Sequence, residues 1–288
     1  MHQSITTLAA SILLSVSALS QSLADYYPTA THQVVEHTYY SLEYSEPHEQ
    51  AKWVIYFAGV DGDTERSDNF REDPLVSSQS ATLDDYKASG YDRGHLAPAG
   101  DMDFNTTAMR ESFYMSNMSP QKPGFNRGIW KSLEALTRTW AINANSPNDV
   151  IITGPILTES CGQIGQNVTV PCAYYKIYVD LSRKKAIGFV LPNESSSLPL
   201  ESFVHSIDEI EVMTGIDFFH LLDDTLEADF EDDENIGDWN WDPELQQNNN
   251  STLPEPTDLP TQQCKALTQS GKQCSRKAGT TGYCWQHD

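Results

Sequence analysis

Tyr91-Asp92-Arg93-Gly94-His95-Leu96-Ala97-Pro98-Ala99-Gly100-Asp101-Met102 places a histidine beside an arginine and an aspartate. Glycine and proline around them forbid a long regular element. The stretch therefore reads as a strand end turning into a loop, a usual place for chemistry. A histidine takes a proton near neutral pH, and an arginine neutralises phosphate or carboxylate. On these residues alone, a surface Asp-Arg pair beside an ordinary histidine fits equally well.

Working outward, Thr106 to Phe113 fits a short helix, and Tyr114 to Gln121 a short strand ending at Pro120. Pro123 to Gly128 is a break. Trp130, Leu133, Leu136, Thr137, Trp140 and Ala141 then recur at helical spacing through Ala144, an apolar face for core packing. Asn126 sits at the entrance of this helix, with Glu134 and Arg138 further along it. Eight residues of α-helix rise about 12 Å, so Asn126 and Glu134 could not easily both touch one ion. One direct ligand plus one carboxylate acting through metal-bound water is the physical solution. Mg²⁺ suits it, because it prefers hard oxygen and keeps several waters. Taken singly, Asn126 also fits a helix N-cap and Glu134–Arg138 a surface pair.

The flanking chain supplies the sheet. His37 to Tyr44 alternates loosely, and Lys52 to Phe57 is rich in aromatic and β-branched residues. Val150 to Gly154 reads as a buried strand. Tyr174 to Leu181 and Ala186 to Leu191 read as a hairpin, and Glu201 to Thr214 as an amphipathic helix closed by Gly215. Strands and helices are mixed without strict alternation, which favours an α+β fold.

The formal net charge of the 288 residues is −23, and it is uneven. Residues 223–263 hold 13 acidic and no basic residues, followed by Asn and Pro runs, and read as a solvated linker. Residues 1–222 are also acidic, so any polyanion must be held by local charges and a metal rather than by the global field. Residues 1–24 read as a secretory signal, apolar from Ile5 to Leu19 with small residues before Asp25, although the start lacks Lys and Arg. No later stretch is long and apolar enough for a membrane span. In an exported chain Cys161 and Cys172 are the expected disulfide.

Asp92-Arg93-Gly94-His95, then Ser116-Asn117-Met118-Ser119-Pro120-Gln121, then Asn126-Arg127-Gly128-Ile129-Trp130-Lys131-Ser132-Leu133-Glu134 follow in order. Together they resemble the DNA/RNA non-specific endonucleases, the Serratia-type nucleases of the ββα-metal (His-Me finger) superfamily. The resemblance covers roughly residues 35–222, within an expected domain of 25–222. It implies a mixed antiparallel sheet core with a ββα-metal motif and helices on both sides. It also implies a Mg²⁺-dependent phosphodiesterase, with Mn²⁺ as a substitute, acting on DNA and RNA with little sequence preference and leaving 5′-phosphate ends. His95 matches the general base, Asn126 the direct metal ligand, and Glu134 the residue holding the metal's water shell. Arg93, Arg138 and Arg66 would clamp the phosphate, and Asn117 would position His95 or the hydrated ion. The expected location is secreted or periplasmic. The acidic body implies weak, strongly salt-sensitive binding of nucleic acid.

Cys264, Cys274, Cys284 and His287 form a separate C-terminal unit, residues 264–288, with basic residues around it. Three thiolates and one imidazole complete a tetrahedral Zn²⁺ shell, and so short a segment would need the metal to fold. One disulfide plus a free thiol is the alternative. Two other functions stay open at this level: a catalytically silent domain that holds nucleic acid or a partner, and a toxin or effector nuclease.

Overall fold

The computed structural model describes residues 22–144, 148–231 and 236–241. Most of the expected signal segment and the whole Cys264, Cys274, Cys284, His287 unit lie outside the described residues.

The chain opens with strands β1 (Gln33–Glu36), β2 (Tyr40–Ser45) and β3 (Gln50–Ala58). Helix α1 (Leu83–Tyr86) precedes β4 (Asp92–His95), and helix α2 (Thr106–Glu111) precedes β5 (Met118–Gln121). Helix α3 (Lys131–Asn143) and strand β6 (Asp149–Pro155) follow. Next come β7 (Ser160–Ile164), β8 (Val168–Pro171), β9 (Ala173–Asp180), β10 (Lys185–Pro192) and β11 (Val204–His205). Helices α4 (Ile207–Thr214) and α5 (Asp224–Glu231) end the fold.

The main sheet has seven strands in the order β1-β2-β3-β6-β9-β10-β11. Every neighbouring pair in it is antiparallel. Its central strands are buried on both faces, which is why they read as nearly continuous apolar runs. The pleat sorts them: Val54, Tyr56, Ile151 and Tyr178 pack against Leu133, Leu136 and Trp140 of α3. Trp53, Ile55, Ile152 and Ile177 pack on the other face against Ile207 and Ile210 of α4 and Phe230 of α5. The expected α+β architecture with helices on both sides of an antiparallel sheet is what the chain adopts. β4 and β5 form a separate two-stranded unit beside this sheet, and α3 completes a ββα arrangement. Cys161 and Cys172 are joined, tying β7 to the end of β8.

Several boundaries differ from the sequence reading; the strand read over Tyr114 to Gln121 begins only at Met118, after a 3-10 turn over Met115–Asn117. The alternating segment 37–44 is a hairpin corner plus β2, because the His37 imidazole turns inward to Asp73. The late helix starts only at Ile207, where the Ser206 hydroxyl caps it by accepting from the Glu209 amide. The acidic segment taken as solvated linker from residue 223 is packed for its first part. Its α5 buries Phe230 against Phe219, with ring centroids 5.2 Å apart. Further on, Trp239 lies 4.9 Å from Trp140 and under the Arg183 guanidinium. Apolar anchors spaced through an acidic run hold it down despite its charge. Trp239→Ala is therefore expected to cost about 3 kcal/mol of stability, read from the urea midpoint; an unchanged midpoint would show that this segment merely rests on the surface.

Candidate active site

β4 ends in His95 and is paired residue for residue with β5, His95 opposite Met118 and Gly94 opposite Ser119. Gly94 is required by a close approach: a Cβ there would come 2.2 Å from the Gln121 side chain. Beyond His95 the chain leaves the strand, and Asn117 fixes how it leaves. The Asn117 amide oxygen accepts from the Ala97 N–H at 2.9 Å, and its NH₂ donates to the Ala97 and Ser112 carbonyls at 2.9 and 2.8 Å. The polar atoms of fully buried Asn117 are thus committed to backbone groups. It secures the backbone on either side of the site, within two residues of His95.

The His95 ring is 8% exposed and sits edge-on to Phe113 and Phe70, at 4.8 and 5.7 Å. Its Nε2 is buried and has no hydrogen-bond partner. Burial pushes its pKa down to about 3; Arg66 and Arg93 push the same way, against Asp68. The imidazole is therefore neutral at physiological pH and has a free acceptor nitrogen. A folded-state pKa below the unfolded value means that the unfolded chain binds more protons between the two. Stability should thus fall as pH drops from about 6.5 toward 4. A shallower pH slope of the urea midpoint in His95→Ala checks this; an identical slope would place the proton elsewhere.

The arginines sit differently from one another. The Arg93 guanidinium lies 4.1 Å over the Phe70 ring. Arg66 is exposed, lies 4.8 Å over Phe113 and donates from Nε to Asp68 at 2.7 Å. Both are therefore next to His95. Arg138 is anchored instead: its Nε donates to Asp101 at 2.5 Å, and Asp101 also accepts from the Tyr56 hydroxyl at 2.6 Å. A Cβ on Gly100 would meet Arg138 Nη2 at 2.7 Å. Gly100→Ala should displace this guanidinium and lower activity roughly tenfold, about 1.4 kcal/mol, with the fold retained; full activity would show that Arg138 is not needed where it sits.

Asn126 lies on a π-turn, Phe125–Trp130, whose backbone breaks at Gly128 (φ −108°, ψ −113°) before α3 begins. The distance argument that assumed α-helical rise from Asn126 to Glu134 consequently does not apply, and the N-cap alternative for Asn126 fails as well. Its NH₂ donates to Asp92 at 2.8 Å, and Asp92 also receives Arg127 at 2.8 and 2.6 Å. Burial alone would raise the Asp92 carboxyl, but Arg127 and Asn126 outweigh it and hold the pKa below the usual range. With the donor side of Asn126 committed, its carbonyl is the group left for a cation. Glu134, four residues after Trp130, is raised to about 7 by burial, against the pull of Lys176 and with the push of Asp101. The oxygen donors Asn126 and Glu134 fit a hard divalent cation.

Sequence reasoning quoted Asp92 and Asp101 in the central stretch but gave them no role in the site, and it gave none to Tyr56 or Phe70. It also missed Lys176, a charge in the middle of a largely apolar strand, which was the one signal on offer.

Comparison with known proteins identifies the family. Residues 20–225 match the family model of the DNA/RNA non-specific endonucleases, and residues 261–288 match a model described as a domain of unknown function. The chain is 35% identical over 219 residues to Nuclease C1 of Cunninghamella echinulata var. echinulata, covering 68% of this chain and 86% of that protein. It is 34% identical to mitochondrial endonuclease G of Bos taurus, covering 68% and 72%. Among solved structures, a crystal structure of an EndoG/EndoGI complex aligns with a TM-score of 0.62 and 29% identity, over 69% of this chain and 90% of that one. A site built on Asp92-Arg93-Gly94-His95 at the end of a two-stranded unit, a family model spanning most of the chain, and relatives that are nucleases lead to one conclusion: this protein belongs to the DNA/RNA non-specific endonuclease family, metal-dependent hydrolases.

Proposed function

We propose that this chain is an exported, Mg²⁺-dependent endonuclease that hydrolyses phosphodiester bonds of both DNA and RNA, with His95 as general base, leaving 5′-phosphate ends. The observation that carries the reading is the His95 imidazole: neutral, walled by Phe70 and Phe113, with Nε2 unpartnered, and beside two guanidiniums. A neutral imidazole accepts the proton of an attacking water at its unprotonated nitrogen without first having to lose a proton. Arg93 and Arg66 meet the phosphate charge. Arg66 is held by an exposed carboxylate that a phosphate replaces at little cost, since such surface pairs contribute about 0–1 kcal/mol. Arg138, fixed by Asp101, presents a pre-positioned positive charge to the developing phosphorane. Asn126 and Glu134 would hold the cation, Glu134 through water; Mg²⁺ or Mn²⁺ would supply positive charge for the leaving oxygen. The segment before Asp25 supports export, and Cys264, Cys274, Cys284 and His287 are proposed Zn²⁺ ligands.

The test is plasmid nicking and RNA degradation by the mature chain, with Mg²⁺ and with EDTA. Cleavage of both substrates that stops with EDTA is the expected result. Tight binding without cleavage would instead favour a silent nucleic-acid-binding domain. Assays at rising salt should show binding weakening with a slope set by the number of phosphates that the arginines neutralise.

A further inference from the structure

Lys176 stands in the middle of β9, opposite Phe189 of β10 and Thr153 of β6. Its side chain is fully buried, and its Nζ has no hydrogen-bond partner. An ammonium placed this way costs several kcal/mol in the absence of a compensating charge, and nothing in the catalytic chemistry outlined above uses it. The alternation of β9 puts Lys176 on the same face as Tyr174 and Tyr178, the face covered by α3. There it lies 5.1 Å from the centroid of Trp130. Trp130 closes the π-turn that carries Asn126 and packs tilted against Phe125 of the same turn, with ring centroids 5.2 Å apart. One helical turn further on stands Glu134, whose carboxyl feels Lys176 as its strongest neighbouring charge. So a single buried cation sits against Trp130, the residue between Asn126 and Glu134, and its charge reaches the Glu134 carboxyl.

We propose that Lys176 is a positioning residue of the metal centre: its ammonium, from the floor of the sheet, holds Trp130 by a cation–π contact and holds the Glu134 carboxylate by charge. It thereby sets the π-turn and the first turn of α3 relative to one another. Asn126 and Glu134 reach a common cation because their shared pivot is pinned from below. The inference rests on the assignment of Asn126 and Glu134 as the cation's holders.

The test uses the full chain. Mn²⁺ binding is titrated by electron paramagnetic resonance without nucleic acid, and kcat and KM are measured on plasmid DNA. Wild type, Lys176→Met, Glu134→Gln and the double variant are compared, with near-ultraviolet circular dichroism to report the fold. Residues that orient metal ligands typically contribute about 10–100-fold to affinity or activity. Lys176→Met is therefore expected to weaken Mn²⁺ at least about tenfold and to lower kcat with KM unchanged. In the Glu134→Gln background the same change should add less than about twofold, because residues acting through one another are not additive. Lys176→Arg, which keeps the charge, should recover part of the loss. Lys176→Gln provides the same comparison should the methionine variant not fold. Mn²⁺ binding unchanged or tightened in Lys176→Met, or a loss that adds in full to that of Glu134→Gln, would overturn the proposal while leaving the metal centre standing. A wild-type chain that binds no Mn²⁺, with Glu134→Gln indistinguishable from it, would remove the metal centre and this inference with it.

Discussion

His95→Ala is expected to lower kcat on plasmid DNA by about 10²–10⁴-fold, the usual contribution of a positioned general base, while the near-ultraviolet circular dichroism stays that of the wild type. The structure explains why the two effects separate. The imidazole makes no hydrogen bond through Nε2, so its removal strands no partner there. What is lost in the fold is edge-on packing against Phe70 and Phe113, which the half-buried Phe70 can relax into. Catalysis has no such slack. No other histidine takes part in the Phe70–Phe113 ring cluster among the described residues, and Arg93 and Arg66 are donors that cannot accept a proton near neutrality. Cleavage retained at more than about a tenth of the wild-type rate would show that the water is activated by another group. Substrate binding by the variant, measured by filter retention, should be nearly unchanged, since the phosphate is met by the arginines.

Asn117→Ala is expected to have the largest effect on stability, about 4–6 kcal/mol. Each buried backbone group left without its partner costs about 1–3 kcal/mol, and this side chain serves three: the Ala97 N–H, the Ala97 carbonyl and the Ser112 carbonyl. Asn117 is fully buried, so these groups have no bulk water beside them. The loss falls on the hinge between β4 and the loop after it, so His95 should lose its place against Phe113 even in molecules that stay folded. Activity measured well below the melting temperature should therefore fall together with stability. Asn117→Asp is informative beside it: the carboxylate can still accept from Ala97 but can donate to neither carbonyl near neutral pH, and should rescue only part of the loss. A small shift in the urea midpoint for Asn117→Ala would mean that the carbonyls find other donors.

Much of this protein was legible before folding. The apolar periods of β3, β6, β9 and β10 could only be buried strands, and the pattern from Trp130 to Ala141 could only be a core-facing helix, because period and burial are tied by backbone geometry. The histidine, the arginines and the two residues proposed to hold the cation were named through the resemblance that the motifs and their order carry. Other features depended on contacts between residues far apart in the chain. The acidic segment after residue 222 looked solvated because charge dominates its composition; Phe230 and Trp239 hold it down through partners such as Phe219 and Trp140 that no local window contains. The π-turn at Asn126 was invisible because helical periodicity assumes a uniform rise. Arg138 read as free to meet phosphate, and the fold gave it Asp101 as an anchor. The placement of Lys176 was likewise a tertiary decision: the strand's alternation said which face it would take, but only the packing of α3 across the sheet brought Trp130 and Glu134 over it. Local sequence determined which groups are available and which elements carry them; tertiary structure decided which of them are neutral, anchored or pinned, because those properties are set by burial and by neighbours that the chain brings together only on folding.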